Sequence, residues 1–202
     1  HWLLDLAQGN LGTSLIYRMP VMDVIIDKFL ASIVLMAISW LLSGVLGFLL
    51  GVVAGKNKGS WIDKAVKVYW YAIQSAPSFW VGMLILMIFA VYLGWFPIGF
   101  GVPIGVKSTD ATFMEWASRL VLPTLTLSLV GLAPIAMYTR NELIQVLSSD
   151  YVLFAKSRGE KGWDLVKNHG IRNILLPAIT LQFLSFSELF GGAVLVEQVF
   201  SI

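Results

Sequence analysis

Long charge-free stretches, separated by short charged ones, set the pattern of this chain. No charged residue occurs at 29–55, at 68–106 or at 120–139. A fourth apolar segment, about 174–199, carries Glu188 in its interior. A helix needs about 20 apolar residues to cross the hydrocarbon of a bilayer. The second gap is too long for one crossing. Pro97, Gly99, Gly101, Pro103 and Gly105 crowd its far end, so its helix is expected to stop near Phe96. The pattern predicts an all-α, polytopic transmembrane helical bundle with about four spans, at 29–55, 71–95, 120–139 and 175–198. Residues 1–28 then form an external segment, and 141–174 a long loop between the third and fourth spans.

Basic residues orient the bundle. The loop after the first span holds Lys56, Lys58, Lys64 and Lys67, and the loop after the third holds Arg140, Lys156, Arg158, Lys161, Lys167 and Arg172. The opposite side keeps Arg18, Lys28, Lys107 and Arg119. The positive-inside rule puts the first set in the cytoplasm. Trp95 and Phe96 at one end of the second span, and Tyr69, Trp70 and Tyr71 at the other, suit aromatic belts.

Two finer patterns sit on this frame. Ser39, Ser43, Gly47, Gly51 and Gly55 recur every four residues on one face of the first span. Small residues let helix backbones approach closely in lipid. The stripe reads as packing within the subunit, with a sliding face for a partner span as the alternative. Residues 61–73 place Ile62, Ala65, Val66, Tyr69, Ala72 and Ile73 at helical spacing, with Asp63, Lys64 and Lys67 elsewhere. They read as an interfacial helix leading to Pro77, which either starts or kinks the next span.

Composition narrows the class. Of 202 residues, 57% are hydrophobic and 13% charged, and mean hydropathy is +0.79. A soluble domain this small could not hide so much apolar surface, which excludes a soluble enzyme, a disordered linker and a nucleic-acid-binding domain. The net charge of +2 gives no single-sign field. With no Cys, and only His1 and His169, a thiolate site, a disulfide framework and a His-rich metal cage are all excluded. The chain starts at His1, shows no signal-peptide pattern and stops at Ile202 just after an apolar stretch. It is expected to be a piece of a longer membrane subunit.

The 141–174 loop is the most informative part. It is long for a connection between adjacent spans, polar, and punctuated by Gly159, Gly162 and Gly170. Ser149 or Asp150 can cap a helix through Val152, Leu153, Phe154 and Ala155 that Gly159 ends. A second short helix is expected from Gly162 to Asn168, carrying Trp163, Leu165 and Val166, with Pro177 at the entry to the fourth span. Such a helix-turn-helix platform offers apolar anchors on a polar rim, as a docking site for a cytoplasmic partner does.

Asp150-Tyr151-Val152, Ala155-Lys156-Ser157-Arg158-Gly159 and His169-x-x-Arg172-Asn173-x-x-Leu176-Pro177 together resemble the cytoplasmic EAA loop of ABC-importer permeases. The 18 residues from Gly159 to Pro177, and the His-x-x-Arg-Asn-x-x-Leu-Pro ending, are similar to the dipeptide/oligopeptide/nickel subgroup. Gly9-Asn10-Leu11-Gly12-Thr13-Ser14, Pro20-Val21, Ala76-Pro77-Ser78-Phe79-Trp80, Tyr92-Leu93-Gly94-Trp95-Phe96-Pro97 and Gly191-Gly192-Ala193-Val194-Leu195-Val196-Glu197 resemble further segments of the same subgroup. The Glu-Ala-Ala triplet itself is Leu153-Phe154-Ala155 here, so only its last residue is kept.

The resemblance implies a type I ABC-importer permease core in the cytoplasmic membrane, a transport subunit rather than an enzyme. It needs no cofactor of its own, since ATP and Mg belong to the partner ATPase. Implied partners are cytoplasmic ATP-binding subunits, a second homologous permease, an external substrate-binding protein and the lipid bilayer. The coupling segment would run from about Asp150 to Asn168. Ala155 and Gly159 would allow close approach and a turn, Arg158, Lys161 and Trp163 would be candidates for direct contact with the ATPase, and Asp150 and Tyr151 would belong to the same coupling set. The implied cargo is a peptide, a related small solute or chelated nickel.

Polar residues inside the spans complete the list. Glu188 is costly at mid-span unless it faces protein or water. With Gln182, Ser185 and Gly192 it suggests a translocation wall, and a neutral Glu holding two spans together is the equal alternative. Thr124 and Ser128, with Gly131, form a weaker stripe on the third span, and Pro123 and Pro134 are candidates to bend it. The rival class is a self-sufficient secondary transporter or channel, which calls for paired intramembrane charges and often a repeat. A membrane enzyme lacks its H-E-x-x-H, G-x-S-x-G or Cys motif. Gly55-Lys56 is no phosphate loop, because Leu50 and Asn57 stand where Gly and Ser/Thr are required.

Overall fold

In the computed structural model, which describes residues 10–98 and 112–200, the chain is helical almost throughout. Thr13 and Pro20 form an isolated antiparallel bridge before the first helix. The helices are α1 (Val21–Lys56), α2 (Trp61–Gln74), α3 (Ser78–Ile85), α4 (Phe113–Leu147), α5 (Asp150–Ser157), α6 (Trp163–Leu165), α7 (Arg172–Leu184) and α8 (Phe186–Phe200). α3 continues as a π-helical stretch, Leu86–Tyr92, and a second π-helical stretch, Val166–Ile171, joins α6 to α7. Most of the Gly/Pro-rich loop at 97–118, and the motif residue Gly9, lie outside the described residues.

Helices outrun the charge gaps. α1 has 36 residues, which at about 1.5 Å each is about 54 Å against a hydrocarbon layer of ~30 Å. It starts at Val21 rather than at 29, because a charge limits what enters lipid without stopping a helix. Similarly, α4 runs through Arg140 to Leu147, with Pro123 and Pro134 inside it. The run expected as one span at 71–95 is divided: α2 and the α3 helix meet at 107°. Pro77 causes the division, since it disfavours helix at the residue before it and itself takes an extended ψ of 143°. Gly94, at φ +64, follows the end of that helix.

The helix expected as the fourth span also differs from its expectation. No separate helix ends near Asn168; one helical path runs from Trp163 to Leu184, with Pro177 inside it. Gly170 does not punctuate the chain there. A Cβ at Gly170 would lie 2.6 Å from Leu143 Cδ1, so its role is close packing on α4. The path then turns by 43° into α8. Ser185 sits at the break, and its hydroxyl donates to Gln182 O (2.9 Å), a back-bond of the kind that bends helices.

α4 is the central helix and packs on α1, α2, α3, α7 and α8. Its closest neighbour is α1, which runs parallel to it along the glycine stripe. A Cβ at Gly51 would lie 2.6 Å from Ala136 O and from Thr139 Cβ. A Cβ at Gly47 would lie 2.9 Å from Ile135 Cβ, and one at Gly55 3.0 Å from Arg140 O. The stripe is thus the intrasubunit seam. Leu35, Ile85, Leu120, Leu127, Val196 and Phe200 build one core cluster, and Val52, Leu143, Val166 and Ile174 another at the opposite end.

Candidate functional site

The segment after α4 is a built turn. α5 buries Val152 and Ala155 against Leu165, with Val146 and Leu147 at the end of α4 packed beneath. Its opposite side leaves Leu153 and Phe154 open, 51% and 65% exposed. Asp150 lies in the first turn of α5, where a carboxylate complements the helix dipole. At the far end Gly159 N–H donates to Lys156 O (3.0 Å) and Glu160 N–H to Ala155 O (3.2 Å). This pair of bonds is a Schellman cap, and it needs a left-handed residue, which Gly159 supplies at φ +96. Gly162 supplies a second positive φ, +60, at the start of α6.

Side chains tie this turn to the bundle. Lys156 Nζ donates to Leu147 O (3.0 Å), satisfying a carbonyl at the end of α4. Lys56 Nζ, the last residue of α1, stands 4.0 Å from the Trp163 ring centroid, a cation–π contact. Asn173 Nδ2 donates to Tyr151 Oη (3.2 Å) and to His169 O (2.6 Å). His169 Nε2 lies 3.0 Å from Glu160 Oε2, to which Asn168 Nδ2 also donates (3.4 Å). The Asn168 amide, then His169 and Arg158, hold the Glu160 carboxyl below its ordinary range.

The expected coupling residues therefore share one turn in two roles. Asp150, Arg158 and Lys161 point into solvent. Ala155 is buried, and Tyr151 and Trp163 are half engaged with the bundle. Sequence reasoning did not single out Leu153 and Phe154 for contact, nor Lys56, whose partner is more than a hundred residues away. Two adjacent large apolar residues in an otherwise polar loop are the available signal for the first pair.

The polar residues of the spans do not form one wall. Gln182 is buried against α1: its Nε2 donates to Trp40 O (2.6 Å), and Trp40 Nε1 donates back to Gln182 O (2.8 Å). Gln182 Oε1 is buried without a partner, and the residue borders an apolar groove of about 290 Å³ between α1 and α7. Thr124 and Ser128 are buried too, and Ser39 Oγ donates to Thr124 O (3.4 Å). Ser185 marks the helix break, while Glu188 faces outward from the chain. The depth of Glu188 follows from its neighbour: Leu189 Cδ2 is 3.4 Å from where a Cβ on Gly131 would stand. Gly131 lies between Arg119 and Arg140, far from both ends of its apolar run. Among the described residues no three or more His, Cys, Asp or Glu side chains converge to hold a metal.

A parallel helix pair at the centre, two bent helix pairs packed around it and a turn built at one end make this a polytopic membrane bundle of the permease kind. The chain belongs to the family of binding-protein-dependent transport system inner membrane components, which it matches over residues 47–202. It is 33% identical over 203 residues to the oligopeptide transport system permease protein AppB of Bacillus subtilis (strain 168), a match covering 99% of this chain and 63% of that one. It is 35% identical over 212 residues to the di/tripeptide transport system permease protein DppB of Pseudomonas aeruginosa (strain UCBPP-PA14), covering 98% and 63%. The glutathione transport system permease protein GsiC of Escherichia coli O6:H1 is 33% identical over 201 residues, covering 100% and 61%. The chain thus spans just over three fifths of the length of these curated relatives.

Proposed function

We propose that this chain is a membrane-spanning subunit of an ATP-driven importer for peptides, and that the turn from Ser148 to Trp163 docks a separate cytoplasmic ATPase. One observation supports this above the rest: Leu153 and Phe154 are held outward on a helix whose other side is buried on α4. An apolar pair ringed by Asp150, Arg158 and Lys161 has the make-up of an interface anchor with a polar rim. Movement of that anchor would reach α4 directly, through Val152 and Ala155 on Val146 and Leu147.

The chain would work with a second permease, an external binding protein and ATPase subunits that carry the nucleotide and its Mg. Ser185 and Glu188 line the translocation path in this reading. Gln182, Thr124 and Ser128 stand behind it; Gln182 and the Thr124 carbonyl hold α1 against α7 and α4, while Ser128 donates to Leu125 O in its own helix. The three relatives described are named for oligopeptides, di- and tripeptides and glutathione, which supports a peptide cargo; none of the three is named for nickel.

The test is co-purification with the cognate ATPase and ATP-dependent uptake into vesicles. Replacing both anchors, L153D with F154D, changes only exposed positions. It should lower ATPase retention at least about tenfold, the scale of an interface hot spot. Uptake that proceeds with no ATPase bound would instead identify a self-sufficient transporter.

A further inference from the structure

Asp63 and Arg140 are charged residues that neither the docking turn nor the path uses, yet the fold buries them together. Asp63 stands in the first turn of α2, with its side chain 1% exposed, and Arg140 near the cytoplasmic end of α4, 11% exposed. Arg140 Nε donates to Asp63 Oδ1 (2.5 Å) and Nη2 to Oδ2 (3.0 Å). Gly59 N–H donates to Oδ2 as well (2.8 Å), and Lys67 Nζ stands 3.6 Å from it. The remaining guanidinium nitrogen, Nη1, donates to Asn141 Oδ1 (2.7 Å).

A buried ion pair adds little stability that well-packed apolar residues would not supply. A planar guanidinium meeting a carboxylate through two nitrogens does something apolar packing does less well: it fixes both distance and angle. The two elements so fixed lie on either side of the docking turn's output. α4 leads through Leu147 straight into α5. α2 leads through the Pro77 bend into α3. Elsewhere α2 grips α4 through Val66, packed with Leu132 and Ala136, and through the Tyr69 hydroxyl, which donates to Leu129 O. Arg140 is the grip on α2 nearest the docking turn.

We propose that Asp63 is a positioning residue, and that the Asp63–Arg140 pair is the rigid joint by which displacement of the docking turn passes from α4 to α2. The inference rests on the coupling reading above. Without the joint, α1 still follows α4 along the glycine seam and α3 keeps its own packing on α4, while α2 loses the grip nearest the docking turn and lags behind.

In proteoliposomes holding the complete importer, peptide transported per ATP hydrolysed is compared for wild type, D63N, R140K and the double variant. D63N should leave ATP hydrolysis near wild type and lower the ratio at least about fivefold, the low end of coupling between sites. R140K keeps the charge but loses the fork, and should lower it less. The double variant should be no worse than D63N, because the two residues act as one unit. A ratio unchanged in both single variants, or a double loss equal to the product of the single ones, overturns the joint. Should D63N fail to assemble, the R140K ratio decides alone. A wild-type importer that consumes no ATP during uptake overturns the coupling reading, and the joint with it.

Discussion

Gly159 and Gly170 look alike in the sequence and differ in what they do. A Cβ at Gly159 would meet nothing within 4 Å, so space is no constraint; its φ of +96 is. A left-handed residue other than Gly costs about 1–2 kcal/mol, less for Asn and more for a β-branched side chain. G159N should therefore keep ATP-coupled uptake close to wild type, while G159V should lose most of it. Both variants should insert and carry unchanged α1–α4 packing, checked by thermal unfolding in detergent. Equal losses from both variants would show that bulk against the ATPase, not backbone conformation, sets the requirement. The cap was legible because Gly159 follows a helical pattern that it can end. Gly170 reads as punctuation in the sequence because its constraint is Leu143, a residue of another helix. The same limit hid Lys56 on Trp163 and Asp63 on Arg140, since nothing local marks a partner that only the fold supplies.

Two of the charge gaps, 29–55 and 120–139, fall inside the long helices α1 and α4, as expected where the cost of burying charge in lipid is large and local. They located helix ends poorly, because a helix continues wherever its backbone bonds are satisfied, as α1 does from Val21 and α4 to Leu147. The glycine stripe was legible for a different reason: a four-residue repeat of small side chains has a direct geometric meaning, close backbone approach. The parallel α1–α4 seam gives that meaning a test. G51A puts a Cβ against Ala136 O and Thr139 Cβ, and a backbone carbonyl cannot move aside without separating the helices. Overpacking of this sort costs about 1–3 kcal/mol, so G51A should lower the thermal midpoint by several degrees. Gly191 in α8 is the control, as its Cβ would meet nothing within 4 Å. G191A should be neutral or stabilise by up to ~1 kcal/mol through helix propensity. Equal effects at the two sites would mean that α1 and α4 are not held at the observed distance.

Glu188 is exposed on the outside of this chain, where the proposed assembly would decide what it meets. On the sequence it shared a stripe with Gln182, but six residues at about 100° each place the two about 120° apart on a helix, and the Ser185 bend separates them further. Gln182 accordingly turns in to α1 and Glu188 turns out. At the depth of Gly131, a carboxylate facing hydrocarbon costs roughly 2.5–3.5 kcal/mol or more. Among the described residues the Glu188 side chain makes no hydrogen bond, and it is exposed; in the proposed importer it would face either a water-filled path or a second permease. The two differ in what E188Q does, since the amide keeps the shape and removes the charge. If Glu188 lines the path and meets the ammonium end of a peptide, E188Q should depress uptake of peptides with a free amino terminus roughly tenfold, as loss of a charged hydrogen bond does. Uptake of N-acetylated peptides should then be little changed, and recovery of the assembled complex the same. If Glu188 instead pairs across the subunit boundary, E188Q should reduce the yield of assembled complex and slow both peptides equally per complex. Selectivity for the charged terminus therefore separates a wall that meets cargo from one that joins subunits.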